Sequence, residues 1–389
     1  MKVLCVFGEY QYGDAMRGRS LEAACFIPAL EAEGHEVRLF DSWMKGRFNS
    51  HKELNSALYE LVNLWRPDVL LSVVMDVEIW SETLAAIRRL GVRAVSWGAD
   101  DTWKWRQVSR FVAHDYDGMI STHAGAIAAY QEEGIRHVAL SQWAAPDPSF
   151  RPPLPAASCT YQVSFIGMAY GDRRRYILAL QRAGCEVSCF GHHWPGGSIA
   201  HEEIPRIMQK SIISLNFSKG LYGGPNQIKA RVFEVPGAGG FLLTEDSPGL
   251  AQWYRLGDEI DVFSDSESLV ERVRYYLSNP AIRDACTHRA YDRTRHEHTY
   301  RIRMRAVMAF AVSLPAVSLG TDDFDQAKRN HRSSWHLSVI KWILTRCCRL
   351  IWGEERSAAI ARRIAFEVSW RLSGRHTFTA QGWFGRMFI

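Results

Sequence analysis

The sequence predicts an α/β protein in which two doubly wound, Rossmann-like parallel-sheet domains follow one another and a helical tail closes the chain. Three observations carry that prediction. Short β-branched runs alternate with helical ones through the first 150 residues. A proline-rich break stops the alternation, after which it begins again. Beyond residue 314 the composition turns basic and aromatic. Repeated β-α order implies parallel strands with helices on both faces of each sheet.

Element by element, residues 2–7, 36–40, 67–74, 92–97, 118–122 and 137–140 are short apolar runs that predict strands. Helical periodicity fills 20–33, 50–65, 81–90 and 122–133, and Gly34, Gly91 and Gly134 stand where helices commonly end. Residues 151–158, Arg-Pro-Pro-Leu-Pro-Ala-Ala-Ser, read as a linker. After it, strands are predicted at 162–166, 186–190, 212–217, 240–243 and 259–263, and helices at 173–183, 202–209, 230–237 and 266–278. The expected domains are therefore 1–150 and 159–314, followed by a tail over 315–389. Two such domains in series predict a ligand cleft beyond the carboxyl ends of their strands.

Composition narrows the classes. The 389 residues are 47% hydrophobic, which excludes a disordered chain. The net charge of +5 is uneven: residues 328–389 carry 12 Lys/Arg against Glu354, Glu355 and Glu367, so the remainder is mildly acidic. The longest uncharged run, 306–321, is too short to span a bilayer and contains Pro315. Eight cysteines without framework spacing, two of them adjacent at 347 and 348, point to a reducing, cytoplasmic setting. Cys185, Cys189, His192 and His193 come nearest to a metal set. In a strand, however, Cys185 and Cys189 stand ~13 Å apart, too far for one ion, so no metal is expected. No Gly-x-Gly-x-x-Gly follows a predicted strand and no Walker A sequence occurs, which argues against dinucleotide enzymes and ATPases.

The densest chemistry lies between Leu215 and Thr244. A strand ends near Ser218, a glycine-rich loop follows with Lys219 and Lys229, and a short helix starts near Ala230. Glycines admit a ligand close to the backbone, and a helix N-terminus favours anions. Lys219, Lys229 and Arg231 suit a diphosphate, while Glu234 suits ribose hydroxyls. The other reading is a solvated surface loop. In the loop after the first strand of this domain, Gly167 precedes Arg173-Arg-Arg175, whose guanidinium groups suit bidentate oxyanion contacts.

These residues carry a resemblance. Arg231-Val-Phe-Glu-Val-Pro-Gly-Ala-Gly-Gly-Phe-Leu-Leu-Thr244 resembles the signature of group 1 glycosyltransferases of the spore-maturation (CgeB-like) kind. The likeness extends to Val163-Ser-Phe-Ile-Gly167, Trp97-Gly-Ala-Asp-Asp101, Ala145-Pro-Asp-Pro-Ser-Phe-Arg-Pro152 and His296-Glu-His-Thr-Tyr-Arg301, over about residues 1–310. It implies a GT-B fold and metal-independent transfer of a sugar from a nucleotide-diphosphate sugar, a co-substrate rather than a bound cofactor. The acceptor would be a surface glycan, a lipid-linked sugar or a protein. By likeness to the wider retaining group, Glu234 binds the donor ribose, and a partner glutamate would fall at 226. This chain has Asn226, which can bond sugar hydroxyls but is no carboxylate. A nucleotide-sugar epimerase or phosphorylase of the same fold, or a degenerate binding scaffold, are the alternative readings.

In the first domain, Asp100 and Asp101 follow a predicted strand, where they could bind or deprotonate an acceptor hydroxyl or simply cap the next helix. The loop with Gly8, Gly13 and Gly18 would lie near the donor phosphates or the acceptor, or be a plain surface loop. His114-Asp115, His296 and His298 read as structural. In the tail, 335–352 and 356–372 predict two amphipathic helices with Trp and Lys/Arg. Residues 333–375 fit an anionic membrane surface at the inner face, or packing on the first domain or across a homodimer, with nucleic acid the least favoured partner.

Overall fold

The computed structural model describes residues 1–220, 224–315, 324–332 and 334–388. The chain divides into two compact units, one of residues 1–140 with 304–389, the other of residues 141–303. Among the described residues the first unit holds a six-stranded parallel sheet and the second a five-stranded one.

In the first unit, β1 (Lys2–Phe7), β2 (Glu36–Asp41), β3 (Val69–Ser72), β4 (Arg93–Gly98), β5 (Gly118–Ser121) and β6 (Val138–Leu140) take the order β2-β1-β3-β4-β5-β6. Val3 to Phe7 are all fully buried, as a parallel strand covered on both faces requires. Cys5 pairs with Leu39 on one side and Leu71 on the other. Helices α1 (Leu21–Ala32), α2 (His51–Trp65), α3 (Ser81–Arg89) and α4 (Ala124–Glu132) alternate with the strands. Ser20 and Ser50 cap α1 and α2 by accepting from Ala23 N at 3.0 Å and Glu53 N at 3.1 Å. The connection moves from β1 out to β2 and then back to β3, so the switch point lies between β1 and β3.

The second unit repeats the plan with β7 (Tyr161–Ile166), β8 (Val187–Phe190), β9 (Ser211–Asn216), β10 (Leu242–Glu245) and β11 (Asp261–Phe263), ordered β11-β10-β9-β7-β8. Its helices are α5 (Arg173–Arg182), α6 (Glu203–Gln209), α7 (Arg231–Gly237), α8 (Ser266–Ser278) and α9 (Pro280–Glu297). One core packs Val163, Phe165, Leu215 and Phe217 under α5 and α8; the other packs Ile166, Val232, Phe233 and Tyr254 under α7 and α9. Here the switch point lies between β7 and β9.

The units do not divide where the sequence predicts. Residues after Leu140 join the second unit because their backbone bonds there: Ala145 N donates to His298 O at 2.9 Å and Arg151 N to Gly237 O at 3.3 Å. The chain then rejoins the first unit from Met304 onward through α10 (Tyr300–Ser313). Phe310 and Leu314 pack over Gly118, and Arg305 forks onto Glu33 at 2.6 and 2.9 Å.

The tail is likewise built into the first unit. It contains α11 (Phe324–Asn330), α12 (Trp335–Trp352), α13 (Glu354–Ser373) and α14 (Trp383–Met387). Phe366, Trp370, Phe378 and Phe384 belong to the same buried cluster as Leu4, Leu70 and Leu54. The helix bounds at 352 and 354 fall at the break that the sequence predicts between 352 and 356, where Gly353 stands. The buried face of α13 mixes small and aromatic side chains. Ser357, Ala361, Ala365 and Ser369 face inward together with Phe366 and Trp370, while Val368 is exposed.

Candidate functional site

In the second unit the residues singled out by sequence converge beyond the carboxyl ends of β7 and β9, on either side of the switch point. Tyr170, in the loop after β7, is the hub. Its hydroxyl donates to Lys219 O at 3.1 Å and accepts from Arg173 Nη2 at 2.7 Å and Lys229 Nζ at 3.2 Å. Arg173, the first residue of α5, is buried, donates to Met168 O at 2.8 Å and stacks 3.8 Å from the Tyr170 ring centre. Lys229 also reaches Lys219 O at 2.5 Å. Lys219 is exposed and bonds Asp172 at 3.1 Å. That hydrogen bond holds the Asp172 carboxyl below and the Lys219 ammonium above their ordinary ranges. Two cations, Arg173 and Lys229, are thus fixed on one phenol, while Lys219 offers it a backbone carbonyl and pairs its ammonium with Asp172.

Arg231 and Glu234 lie in the first turn of α7 and form an i,i+3 ion pair, with Arg231 Nε also 3.4 Å from Ile166 O. The pairing orients the half-buried Glu234 carboxylate. Asn226 donates Nδ2 to Asp246 O at 2.6 Å. A carboxylate cannot make that bond, so the amide is what this loop requires. Glu245, buried at the end of β10, accepts from Ser218 N at 2.9 Å while its carbonyl takes Ser218 Oγ at 2.7 Å, anchoring the start of the glycine-rich loop. The middle of that loop, 221–223, lies outside the described residues.

Gly167 follows β7 and lies against Gly191. A Cβ on Gly191, whose φ is +122°, would come within 2.5 Å of Gly167 O, which also accepts from Trp194 Nε1 at 2.8 Å. The approach of the two glycines keeps the backbone open beside Arg173. Tyr170 and Glu245 were not singled out from the sequence. Tyr170 had one available signal, its place between Gly167 and Arg173.

Gly8 belongs to the first unit, where its Cα faces the Trp43 indole; a Cβ would come within 2.3 Å of the ring. Packing alone explains the glycine there. Asp100 follows β4 and is half-exposed. Beside it the buried Glu22 carboxyl is held above its ordinary range by burial, reinforced by Asp100 and opposed by Lys104. Asp101 departs from expectation. It turns inward, 3% exposed, and accepts from Ser121 Oγ at 2.7 Å and Tyr130 OH at 3.0 Å, so it does not present a carboxylate to an acceptor. Asp115 is also structural, taking Ser81 Oγ at 2.6 Å and pairing with Arg375. His298 packs among Phe233, Trp253 and Tyr254 and bonds Trp253 O at 2.9 Å.

Burial raises the Asp101 carboxyl above its ordinary range. In the unfolded chain it ionises at roughly pH 4. Above that pH, and below its raised folded value, the unfolded state has released a proton that the folded state keeps. The residue therefore destabilises the fold increasingly as pH rises through this window. Asp101→Asn, which keeps an acceptor for Ser121 and Tyr130, is expected to remove that share of the decline in melting temperature above about pH 4. Melting profiles that coincide with the parent protein's at every pH would refute it.

Residues 173–309 match a family model described as glycosyl transferase-like. A search of curated proteins gives no match. Among solved structures, Anabaena HepE in complex with UDP is similar at 12% identity and TM-score 0.55, covering 81% of this chain and 100% of its own. Sucrose-phosphate synthase from Thermosynechococcus elongatus is similar at 11% identity and TM-score 0.54, covering 80% and 100%. A Listeria monocytogenes protein provisionally named UDP-N-acetylglucosamine 2-epimerase is similar at 14% identity and TM-score 0.50, covering 79% and 95%. The chain thus has the GT-B fold, and over residues 173–309 it matches the glycosyl transferase-like family.

Proposed function

We propose that this protein is a glycosyltransferase that moves a sugar from a nucleotide-diphosphate sugar to a glycan, lipid-linked or protein acceptor. One observation carries the reading: Arg173, Lys219, Lys229, Arg231 and Glu234 gather at the switch point of the second unit. As the glycosidic bond breaks, negative charge grows on the departing diphosphate. Cations already held in place stabilise that charge without reorganising. They supply what a divalent cation would otherwise provide, so the proposed transfer is metal-independent. Glu234 accepts the ribose hydroxyls, and Asp100 in the first unit is the candidate base for the acceptor hydroxyl. HepE, similar in fold, was solved with UDP and with UDP-glucose, which makes uridine nucleotides the first donors to test. The motifs favour the spore-maturation (CgeB-like) group and a retaining outcome, in a cytoplasmic enzyme.

Calorimetry against nucleoside diphosphates tests the reading. One nucleotide is expected to bind the full-length protein, and Arg231→Ala to weaken it at least tenfold. No binding by any nucleotide would leave only a scaffold. An epimerase, the reading that the Listeria neighbour favours, would consume the donor with no acceptor present; the proposed transferase requires one.

A further inference from the structure

Helix α12 meets the body of the first unit along one narrow stripe. Leu337 and Leu344 pack against its core and Cys348 is buried. The opposite side, at 3.6-residue spacing, carries Trp335, Val339, Trp342, Ile343 and Leu350. These side chains stand in the open: Trp335 is 70% exposed, Trp342 59% and Leu350 85%. Folded proteins rarely leave so many large apolar groups together on one helix, and such faces mark contact surfaces.

Charge decides what the surface contacts. Helix α12 contains no acidic residue, whereas Lys341, Arg346 and Arg349 lie along it and Arg332 precedes it. The Arg346 guanidinium sits 5.1 Å from the Trp342 ring centre, on the exposed side. Arg349 pairs with Glu354 across the Gly353 turn, and Lys341 leans over Phe388 at 5.0 Å. A second copy docking the same face about a two-fold axis would set Arg346 near its own image, with no carboxylate on either helix to neutralise it. A surface of lipid phosphates offers the complementary charge. Tryptophan and arginine suit such a boundary because each has an apolar body and a polar edge.

We infer that the outward face of α12 lies in the interface of an anionic membrane, with Trp335, Trp342 and Leu350 sunk among the acyl chains and Arg346 at the phosphates. No described helix is long and apolar enough to cross a membrane. An 18-residue helix lying flat contributes a strip roughly 27 Å long. The inference does not rest on the glycosyl-transfer reading.

Sedimentation of the full-length protein with vesicles of phosphatidylcholine, alone or with phosphatidylglycerol, tests it. Partitioning is expected to be roughly tenfold or more stronger onto the anionic vesicles. Trp342→Glu with Leu350→Glu should abolish it, and Arg346→Glu should remove most of the lipid preference. Both side chains of the double variant point away from the core, so its melting curve should match the parent's, which separates lost binding from lost fold. Equal binding by the double variant would overturn the inference, as would failure of the parent protein to pellet with either vesicle. A parent that is dimeric by light scattering, and monomeric when so substituted, would assign the face to a second copy instead.

Discussion

Replacing Glu234 by alanine is expected to lower kcat/KM for nucleotide-sugar turnover by about 100-fold, with the loss mainly in KM. A carboxylate that accepts two ribose hydroxyls contributes about 3 kcal/mol through charge-assisted hydrogen bonds. The ribose lies remote from the reacting carbon, so this binding is shared by ground state and transition state. The substitution also strips Arg231 of its i,i+3 partner in the first turn of α7. Glu234→Gln keeps the shape and one acceptor, and is expected to lose about tenfold. Arg231→Ala should lower kcat as well if, as proposed, that residue meets the charge that grows as the bond breaks. Steady-state kinetics on folded variants measure all three. Values for Glu234→Ala and Arg231→Ala within threefold of the parent would sink the site assignment.

The largest expected effect on stability comes from a residue far from that chemistry. Arg283, on α9, has no exposed surface. Its guanidinium donates to Ile212 O at 2.7 Å, Ser211 O at 2.8 Å and Leu154 O at 2.8 Å, with Asp284 at 3.0 Å. One side chain therefore ties the start of β9 to the proline-rich segment before β7. Arg283→Met roughly preserves volume but leaves three carbonyls, one buried and two part-buried, without these donors. Each unsatisfied group costs about 1–3 kcal/mol, so a loss of about 3–5 kcal/mol is expected. Arg283→Lys should fall between, since an ammonium cannot reproduce the planar fork. Urea denaturation with an unchanged slope would measure it, and a loss under 1 kcal/mol for Arg283→Met would show that the carbonyls find other donors.

Arg283 also marks where sequence reading stops. The strands and most helices were legible because period and length are local: 266–278 and the break at Gly353 emerge where expected. The cluster at 219–234 was legible because its cations and glutamate are close in sequence. The contacts that organise it were not. Tyr170 reaches Lys219 across 49 residues and Lys229 across 59, and Glu245 reaches Ser218 across 27. Asp101 reads like its neighbour Asp100 until Ser121 and Tyr130 are seen around it. On α13 serine and alanine share the inward face with Phe366 and Trp370, so aliphatic periodicity alone does not find it. The domain boundaries fail for a related reason: the basic composition of the tail hides four aromatic side chains that complete a core begun at residue 4.

That last arrangement governs how the protein can be made. On the ribosome, residues 1–140 emerge first, yet the sheet they form waits for Phe366, Trp370 and Phe384 before one side of its core closes. Residues 141–303 are complete in themselves and can finish earlier. Residues 1–140 are therefore sealed after residues 141–303, and their incomplete apolar face must be shielded while residues 304–389 are translated. A stop codon or a protease cut near residue 320 would leave that face open permanently, so the shortened chain is expected to aggregate even though the glycosyl transferase-like segment is intact.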